Sequence, residues 1–232
     1  MSRPKAALFD MDGLLLETEK LAHASFLEVA AGVGMASKDA DALFRTLIGT
    51  SEAETTRCLT ESLPIGTDMP TFGEAWSAAM LRHVSKGIEL RPTVAKVLDA
   101  LTEAKVPMAV VTSSRQSHAE ANLAQAGIRH HFQAIIGGDR VTANKPDPEP
   151  YLMGAKALGV DPADCAAFED SDLGTQSALR AGCRTFQVPD MRPEGSEPPE
   201  VGQGIAPTLW DAVQRAGLPL PLEAEDIAPA LG

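Results

Sequence analysis

Five short apolar runs along the chain lack the alternation with polar residues that marks a half-exposed strand. They cover residues 6–9, 108–111, 134–136, 165–168 and 185–188. Continuous apolar runs of this length are typical of strands that are buried on both faces, as in a parallel sheet. We therefore predict five such strands.

Helical patterns separate the later runs. Segments 93–104, 117–126 and 150–158 place apolar residues three and four positions apart. Gly127 and Gly159 follow two of these segments, where helices commonly end in a left-handed residue. The alternation of strands and helices predicts an α/β fold with a doubly wound parallel sheet.

The stretch 16–90 interrupts this alternation because it contains helical patterns and no convincing strand. The patterns lie at 21–31, 40–47, 52–63 and 72–84. We predict an inserted all-helical cap domain at 16–90, and a core domain made of 1–15 and 91–232.

The C-terminal part is punctuated by proline and glycine. Residues 190–204 are rich in Pro, Glu and Gly and predict a surface loop, which a last helix at 208–216 follows. The end, 218–232, holds three prolines and three acids, and we expect it to be partly disordered.

The charge balance narrows the range of partners. The 232 residues include 20 Lys and Arg against 32 Asp and Glu, a formal net charge of −12. A nucleic-acid partner requires a basic surface, and so does an anionic membrane, so we expect neither. Aromatic residues, at 4%, are too few for a platform that stacks single-stranded bases.

The sequence was also searched for targeting segments and for cysteine motifs. The apolar run near the N-terminus ends at Asp10, which is too early for a secretory signal, and no apolar run is long enough to span a bilayer. Cys58, Cys165 and Cys183 form no CxxC pair, so we expect reduced thiols and a cytoplasmic protein.

Chemically active side chains follow the predicted strands. Ligands of a doubly wound sheet bind beyond the carboxyl ends of its strands, so these segments are expected to form one site. The segments are Asp10-Met11-Asp12-Gly13, Thr112-Ser113-Ser114-Arg115, Lys145-Pro146 and Glu169-Asp170-Ser171-Asp172.

A cluster of carboxylates repels itself unless a cation lies among them, and oxygen ligands favour Mg²⁺. One carboxylate can then attack a phosphoryl group, while a second transfers protons. A lysine and hydroxyl groups can stabilise the charge on the phosphoryl oxygens. The residue types therefore predict Mg²⁺-dependent phosphoryl transfer.

Four ordered motifs, LFDMDG, VVTSS, NKPDPEPYL and FEDSDLG, together resemble those of the haloacid dehalogenase superfamily, in its phosphatase and β-phosphoglucomutase-like branch. A helical cap inserted just after the first motif is also the family arrangement. The resemblance therefore covers nearly the whole chain.

The resemblance implies a role for each matching position. It makes Asp10 the nucleophile and a Mg²⁺ ligand, and Asp12 the general acid and base, with its backbone carbonyl on the metal. Thr112, the amide of Ser113, and Lys145 would hold the phosphoryl oxygens.

Further roles follow from the same resemblance. Asp170 would be a metal ligand, and Glu169 either a ligand or an acid behind the ligands. Ser114 is expected to help bind the phosphate. Arg115 either meets the substrate or is solvated, and the role of Asp172 stays open. A monomer acting on a small phosphorylated metabolite is the expected state.

Three other activities have to be weighed. Dehalogenases of the superfamily lack the second aspartate, so Asp12 argues against dehalogenation. Mutases of the branch carry a histidine where Ala22 stands, with His23 one residue too far along, and an arginine where Glu52 stands. These departures favour transfer to water over a phosphomutase, and the intact motifs argue against a non-catalytic regulatory or binding protein. We expect specificity to depend on residues 48–54 and 72–83 and on Arg115.

Overall fold

A computed structural model describes residues 3–48, 52–191 and 196–221, and so most of the predicted C-terminal tail lies outside the described residues. Its centre is a six-stranded sheet in which every neighbouring pair is parallel. The strands are β1 Ala6–Phe9, β2 Met108–Val111, β3 Ala134–Ile136, β4 Cys165–Glu169, β5 Arg184–Gln187 and β6 Gly204–Ile205. Their order is β3-β2-β1-β4-β5-β6. This order reverses between β1 and β4, which makes the sheet doubly wound and Rossmann-like, as predicted.

Helices occupy the connections from β1 to β5, and a last helix follows β6. Four lie between β1 and β2 before the first core helix: α1 Thr18–Gly32, α2 Ser37–Leu47, α3 Glu52–Ser62 and α4 Met69–Ser85. The others are α5 Val94–Glu103, α6 Gln116–Gln125, α7 Glu149–Leu158, α8 Asp172–Arg180 and α9 Leu209–Ala216. Within the described ranges, no helix combines the length and the apolar character needed to cross a membrane.

The two faces of β1 explain why its apolar run is continuous. Ala7 and Phe9 belong to a buried cluster with residues of α5 and α9, such as Leu98. Ala6 and Leu8 belong to a second cluster, on the opposite face, with Tyr151 of α7. Helices therefore cover both faces of the sheet, so that no position of the strand needs to be polar.

Helices α1–α4, which we call the helical insert, have a hydrophobic cluster of their own. Phe26, Phe44 and Phe72 are buried there, and Trp76 packs against them. The insert connects to the sheet through two adjacent segments: the amide of Glu17 donates to the carbonyl of Glu89, and that of Arg91 donates to Leu15. The predicted helices of 16–90 are thus present, while the division into two domains stays a prediction.

Two elements differ from the sequence prediction. Helix α8 was not predicted, because the residues that it buries are small or polar, including Gly174, Thr175 and Ser177. Strand β6 lies in the segment predicted as a loop and contains two residues, too few for a periodic pattern. By contrast, Gly127 and Gly159 have φ of +77° and +69°, the left-handed conformation expected at the ends of α6 and α7.

Candidate active site

Polar residues meet where three neighbouring strands end. Asp10 follows β1, Thr112 follows β2, and Glu169 is the last residue of β4. These ends border a cavity of about 500 Å³, a volume suited to a small metabolite. The predicted residues that line it are Asp10, Asp12, Thr112, Ser113, Ser114, Lys145, Asp170 and Asp172.

Lys145 is the buried cation of this site, with 5% of its side chain exposed. Its ammonium group donates hydrogen bonds to Oδ1 of Asp10, to Oε1 of Glu169 at 2.7 Å and to the carbonyl of Val111 at 2.9 Å. Burial alone would lower the pKa of Lys145, but the carboxylates of Asp10 and Glu169 outweigh burial and raise it. The lysine is therefore held as a cation against Asp10.

Glu169 lies behind Lys145, and its side chain is fully buried. Its Oε1 also accepts a hydrogen bond from the hydroxyl of Tyr151 at 2.7 Å, and its Oε2 accepts one from Ser171 Oγ at 3.1 Å. It is not among the residues that line the cavity. Its contacts are those of a residue that positions the lysine.

Asp12 is held by the loop that follows β2. Ser114 Oγ donates to Asp12 Oδ2 at 2.7 Å, and Thr112 Oγ1 donates to the same oxygen at 3.3 Å. The loop is fixed in turn by Asn144, whose Oδ1 accepts from Ser113 Oγ at 3.1 Å and from the amide of Lys145 at 2.8 Å. These contacts place the carboxyl groups of Asp10 and Asp12 and the ammonium group of Lys145 at one cavity.

The carboxylates form a group that could hold a metal ion. Ligand atoms of Asp10, Glu169 and Asp170 all lie within 4.8 Å of one another. Burial, then the neighbouring Glu169 and Asp12, raise the pKa of Asp10 to about 8 against the attraction of Lys145. Burial and the nearby Asp10 likewise raise the pKa of Asp170 well above its usual value. A hard divalent cation would relieve this repulsion, so the residues fit Mg²⁺.

Comparison with known proteins decides the family. Residues 7–188 match the family model described as haloacid dehalogenase-like hydrolase. The chain belongs to this family. It is a phosphoric monoester hydrolase, as the sequence motifs predicted.

Two relatives and one solved structure show the extent of the likeness. The hydrolase is 33% identical over 181 residues to the fructose-1-phosphate phosphatase of Escherichia coli, covering 78% of this chain and 94% of that one. It is 32% identical over 178 residues to the phosphorylated carbohydrates phosphatase of Thermotoga maritima, covering 77% and 82%. The crystal structure of CbbY from Rhodobacter sphaeroides in complex with phosphate superposes with a TM-score of 0.70 at 28% identity, covering 93% and 99%.

Two predicted site residues do not line the cavity: Glu169, which lies behind Lys145, and Arg115. Arg115 is exposed and precedes α6 as its N-cap. Asp172 does line the cavity, and its Oδ1 accepts a hydrogen bond from Gln187 Nε2 at 2.8 Å. Of the two uncertain residues, only Asp172 is therefore near the reacting groups.

The sequence interpretation missed several residues of the site. Glu19, Met191 and Ser196 line the cavity, and Tyr151 supports it from behind. Ile48 also lines it and belongs to the segment 48–54 that was expected to determine specificity. Burial, then the charges of Asp190 and Asp12, raise the pKa of Glu19 to about 7. Its place in the sequence was a weak indication of a site residue, because Glu19 lies between the first motif and the predicted start of the first helix.

Proposed function

We propose that this hydrolase catalyses the Mg²⁺-dependent hydrolysis of a small phosphate monoester, a sugar phosphate or a similar metabolite, through an aspartyl-phosphate on Asp10. The contact between the buried Lys145 ammonium and Asp10, beside Asp12 in one cavity, is the observation that carries the proposal. The names of the two relatives, which act on fructose 1-phosphate and on phosphorylated carbohydrates, support the substrate class.

In the first step, the Asp10 carboxylate attacks phosphorus and the bond from phosphorus to the alcohol oxygen breaks. Asp12 gives its proton to the departing alcohol oxygen, so that a neutral alcohol leaves. Lys145, Thr112 and the amide of Ser113 stabilise the charge on the phosphoryl oxygens.

In the second step, the same Asp12, now ionised, removes a proton from water. The hydroxide attacks phosphorus, the bond to the Asp10 oxygen breaks, and inorganic phosphate leaves. The hydrogen bonds from Ser114 and Thr112 keep the Asp12 carboxyl group beside the reacting atoms in both steps.

Asp10 and Asp170, together with the backbone carbonyl of Asp12, would hold Mg²⁺. The ion would supply positive charge against the phosphate and the nucleophile. We assign Glu169 to positioning Lys145, because both of its oxygens already accept hydrogen bonds from the protein.

The helical insert serves as a cap over the site. Glu19 and Ile48 of the insert line the cavity together with residues of the sheet. Closure of such a cap would exclude bulk water while the phosphoenzyme forms. The two adjacent linkers, around Glu17 and Arg91, are the proposed hinges.

Transfer of the phosphoryl group to water is favoured over its transfer to another hydroxyl group of the same sugar. His23 is directed at the insert itself, because its Nε2 lies 2.8 Å from Oδ1 of Asp41 and its ring packs on Phe44. It does not line the cavity, and Ala22, at the position of the mutase histidine, has no proton to transfer. The side chain of Glu52 lies outside those described.

A phosphate-release screen over a library of phosphate esters, with and without Mg²⁺, tests the proposal. We expect release only with Mg²⁺, and loss of turnover in Asp10→Asn while a cooperative thermal melt shows that its fold is intact. Asp39→Asn, a change at an exposed residue of α2, is the matched control. Turnover by Asp10→Asn at the wild-type rate would contradict the mechanism, and an isomerised sugar phosphate in place of free phosphate would indicate a mutase.

A further inference from the structure

Glu19 contributes a carboxylate to the cavity from the first turn of α1. Among the described residues, none donates a hydrogen bond to this carboxylate or forms an ion pair with it. Its charged neighbours are Asp190, Asp12 and Asp170, which repel it. A partly buried carboxylate without a donor is unfavourable unless something else supplies one.

The other groups around the cavity show what that donor can be. Lys145 is the only cation among the described residues that line it, and its ammonium group is already bonded to Asp10, Glu169 and the Val111 carbonyl. Among the described residues of the stretch 16–90, only Glu19 and the apolar Ile48 line the cavity. The Mg²⁺ proposed above would balance the charge of the transferred phosphate. A second anionic group, on the alcohol part of a substrate, would meet the Glu19 carboxylate without a cation from the described residues to balance it, whereas hydroxyl groups can donate to Glu19.

We propose that Glu19 is a specificity-determining residue, which accepts hydrogen bonds from hydroxyl groups of the substrate's alcohol part and disfavours esters whose alcohol part carries a second anionic group. The preferred substrates are then monophosphates of neutral polyhydroxy compounds. This inference rests on the proposed phosphatase function and deepens it. Specificity of this kind combines an attractive contact for one ligand with repulsion of its competitor.

The test uses pairs of esters that differ mainly in charge. Fructose 1-phosphate is compared with fructose 1,6-bisphosphate, and 2-hydroxyethyl phosphate with 2-phosphoglycolate. Assays at about pH 8 keep Glu19 mainly ionised, because burial raises its pKa to about 7. We expect the wild-type kcat/KM to favour the neutral member of each pair by about tenfold or more, the size expected of like-charge repulsion in a partly buried site.

Two variants separate the charge from the hydrogen bond. Glu19→Gln removes the charge and keeps an acceptor, so it should narrow the preference by about fivefold or more. It should lower kcat/KM for fructose 1-phosphate less than Glu19→Ala does, because an amide oxygen still accepts a hydrogen bond. Glu19→Ala removes both, so it should also lower kcat/KM for fructose 1-phosphate by about fivefold or more. Glu74→Gln, at an exposed residue of α4, is the control and should change neither quantity.

The outcomes distinguish the two proposals. An active enzyme whose preference is the same in wild type and Glu19→Gln would overturn the role of Glu19 alone, as would a wild-type preference for the charged esters. A merely structural role in the first turn of α1 would lower the melting temperature without changing the ratio. Absence of phosphate release from every ester would overturn the proposed function, and this inference with it.

Discussion

The ammonium group of Lys145 lies 2.7 Å from Oε1 of Glu169, and the same oxygen accepts a hydrogen bond from the hydroxyl of Tyr151, also at 2.7 Å. A buried ion pair is weak evidence for stability, because desolvation offsets the attraction between its charges. Here the pair fixes the position of Lys145. Tyr151 and Ser171 hold Glu169 by hydrogen bonds, and Glu169 holds the ammonium group of Lys145 beside Asp10.

The first prediction concerns this anchor. Tyr151→Phe removes one hydrogen bond to a buried carboxylate and should lower the free energy of unfolding by about 1–3 kcal/mol in urea titrations. Because the mispositioned Lys145 would stabilise the transition state less well, kcat should fall by about threefold or more while KM stays nearly constant. Thr185→Val in β5, which removes a buried hydrogen bond to the Cys183 carbonyl, should lower stability without lowering kcat.

The second prediction concerns the space beside Glu169. A Cβ added at Gly174 would lie 1.9 Å from Oε1 and 2.1 Å from Cδ of Glu169, a side chain that its hydrogen bonds prevent from moving freely. Gly174→Ala should therefore cost about 2 kcal/mol or more of unfolding free energy, and should lower kcat. A stable, fully active Gly174→Ala would contradict the account of Glu169.

The matched control for that change is Gly73→Ala in α4. Apart from its chain neighbours and the adjacent backbone of its own helix, no described atom lies within 4 Å of a Cβ built there. Alanine is the better helix former by about 1 kcal/mol, so this variant should be as stable as wild type or more stable, with unchanged kcat.

The sequence predicted those elements whose burial is visible in the pattern of their own residues. The run at 6–9 could be identified as a strand because both of its faces are buried, and Asp10 and Asp12 were placed by their position after it. Helix α8 was missed because small residues such as Gly174 allow it to pack against the sheet without an apolar stripe.

The rest of the site depends on contacts between distant segments. The bond from Tyr151 to Glu169 joins α7 to β4, and Glu19 shares the cavity with Asp170, which follows β4. Closeness in the sequence can also mislead. Arg115 is three residues from Thr112 but lies outside the cavity, at the start of α6. Neither outcome is encoded in residue spacing.

The third prediction concerns metal and pH. The folded-state pKa of Asp10 is raised from 3.8 to about 8, so the metal-free protein keeps a proton there that the unfolded chain loses. The contribution of this group to stability is present below pH 3.8 and is lost as the pH rises to about 8. Mg²⁺ competes with that proton, so it should raise the melting temperature more at about pH 8 than at about pH 5.5.

Thermal melts with and without Mg²⁺ at both pH values would measure this effect. At about 100 times its Kd, a ligand contributes about 2.7 kcal/mol, which corresponds to several degrees in a chain of this size. Asp170→Asn should reduce the increase, whereas Asp39→Asn should retain it. An increase that is equal at the two pH values, or is unchanged in Asp170→Asn, would count against the proposed ligands.

The last prediction separates the two roles of Asp12. Nitrophenolate leaves without needing a proton, so Asp12→Asn should still form the phosphoenzyme from p-nitrophenyl phosphate. The variant lacks the base that activates water, so hydrolysis of that intermediate should be slower by about a hundredfold or more. Rapid mixing should therefore show a burst of about one nitrophenolate per enzyme followed by slow turnover. Asp39→Asn should turn over like wild type, and steady, burst-free turnover of Asp12→Asn at the wild-type rate would remove Asp12 from the mechanism.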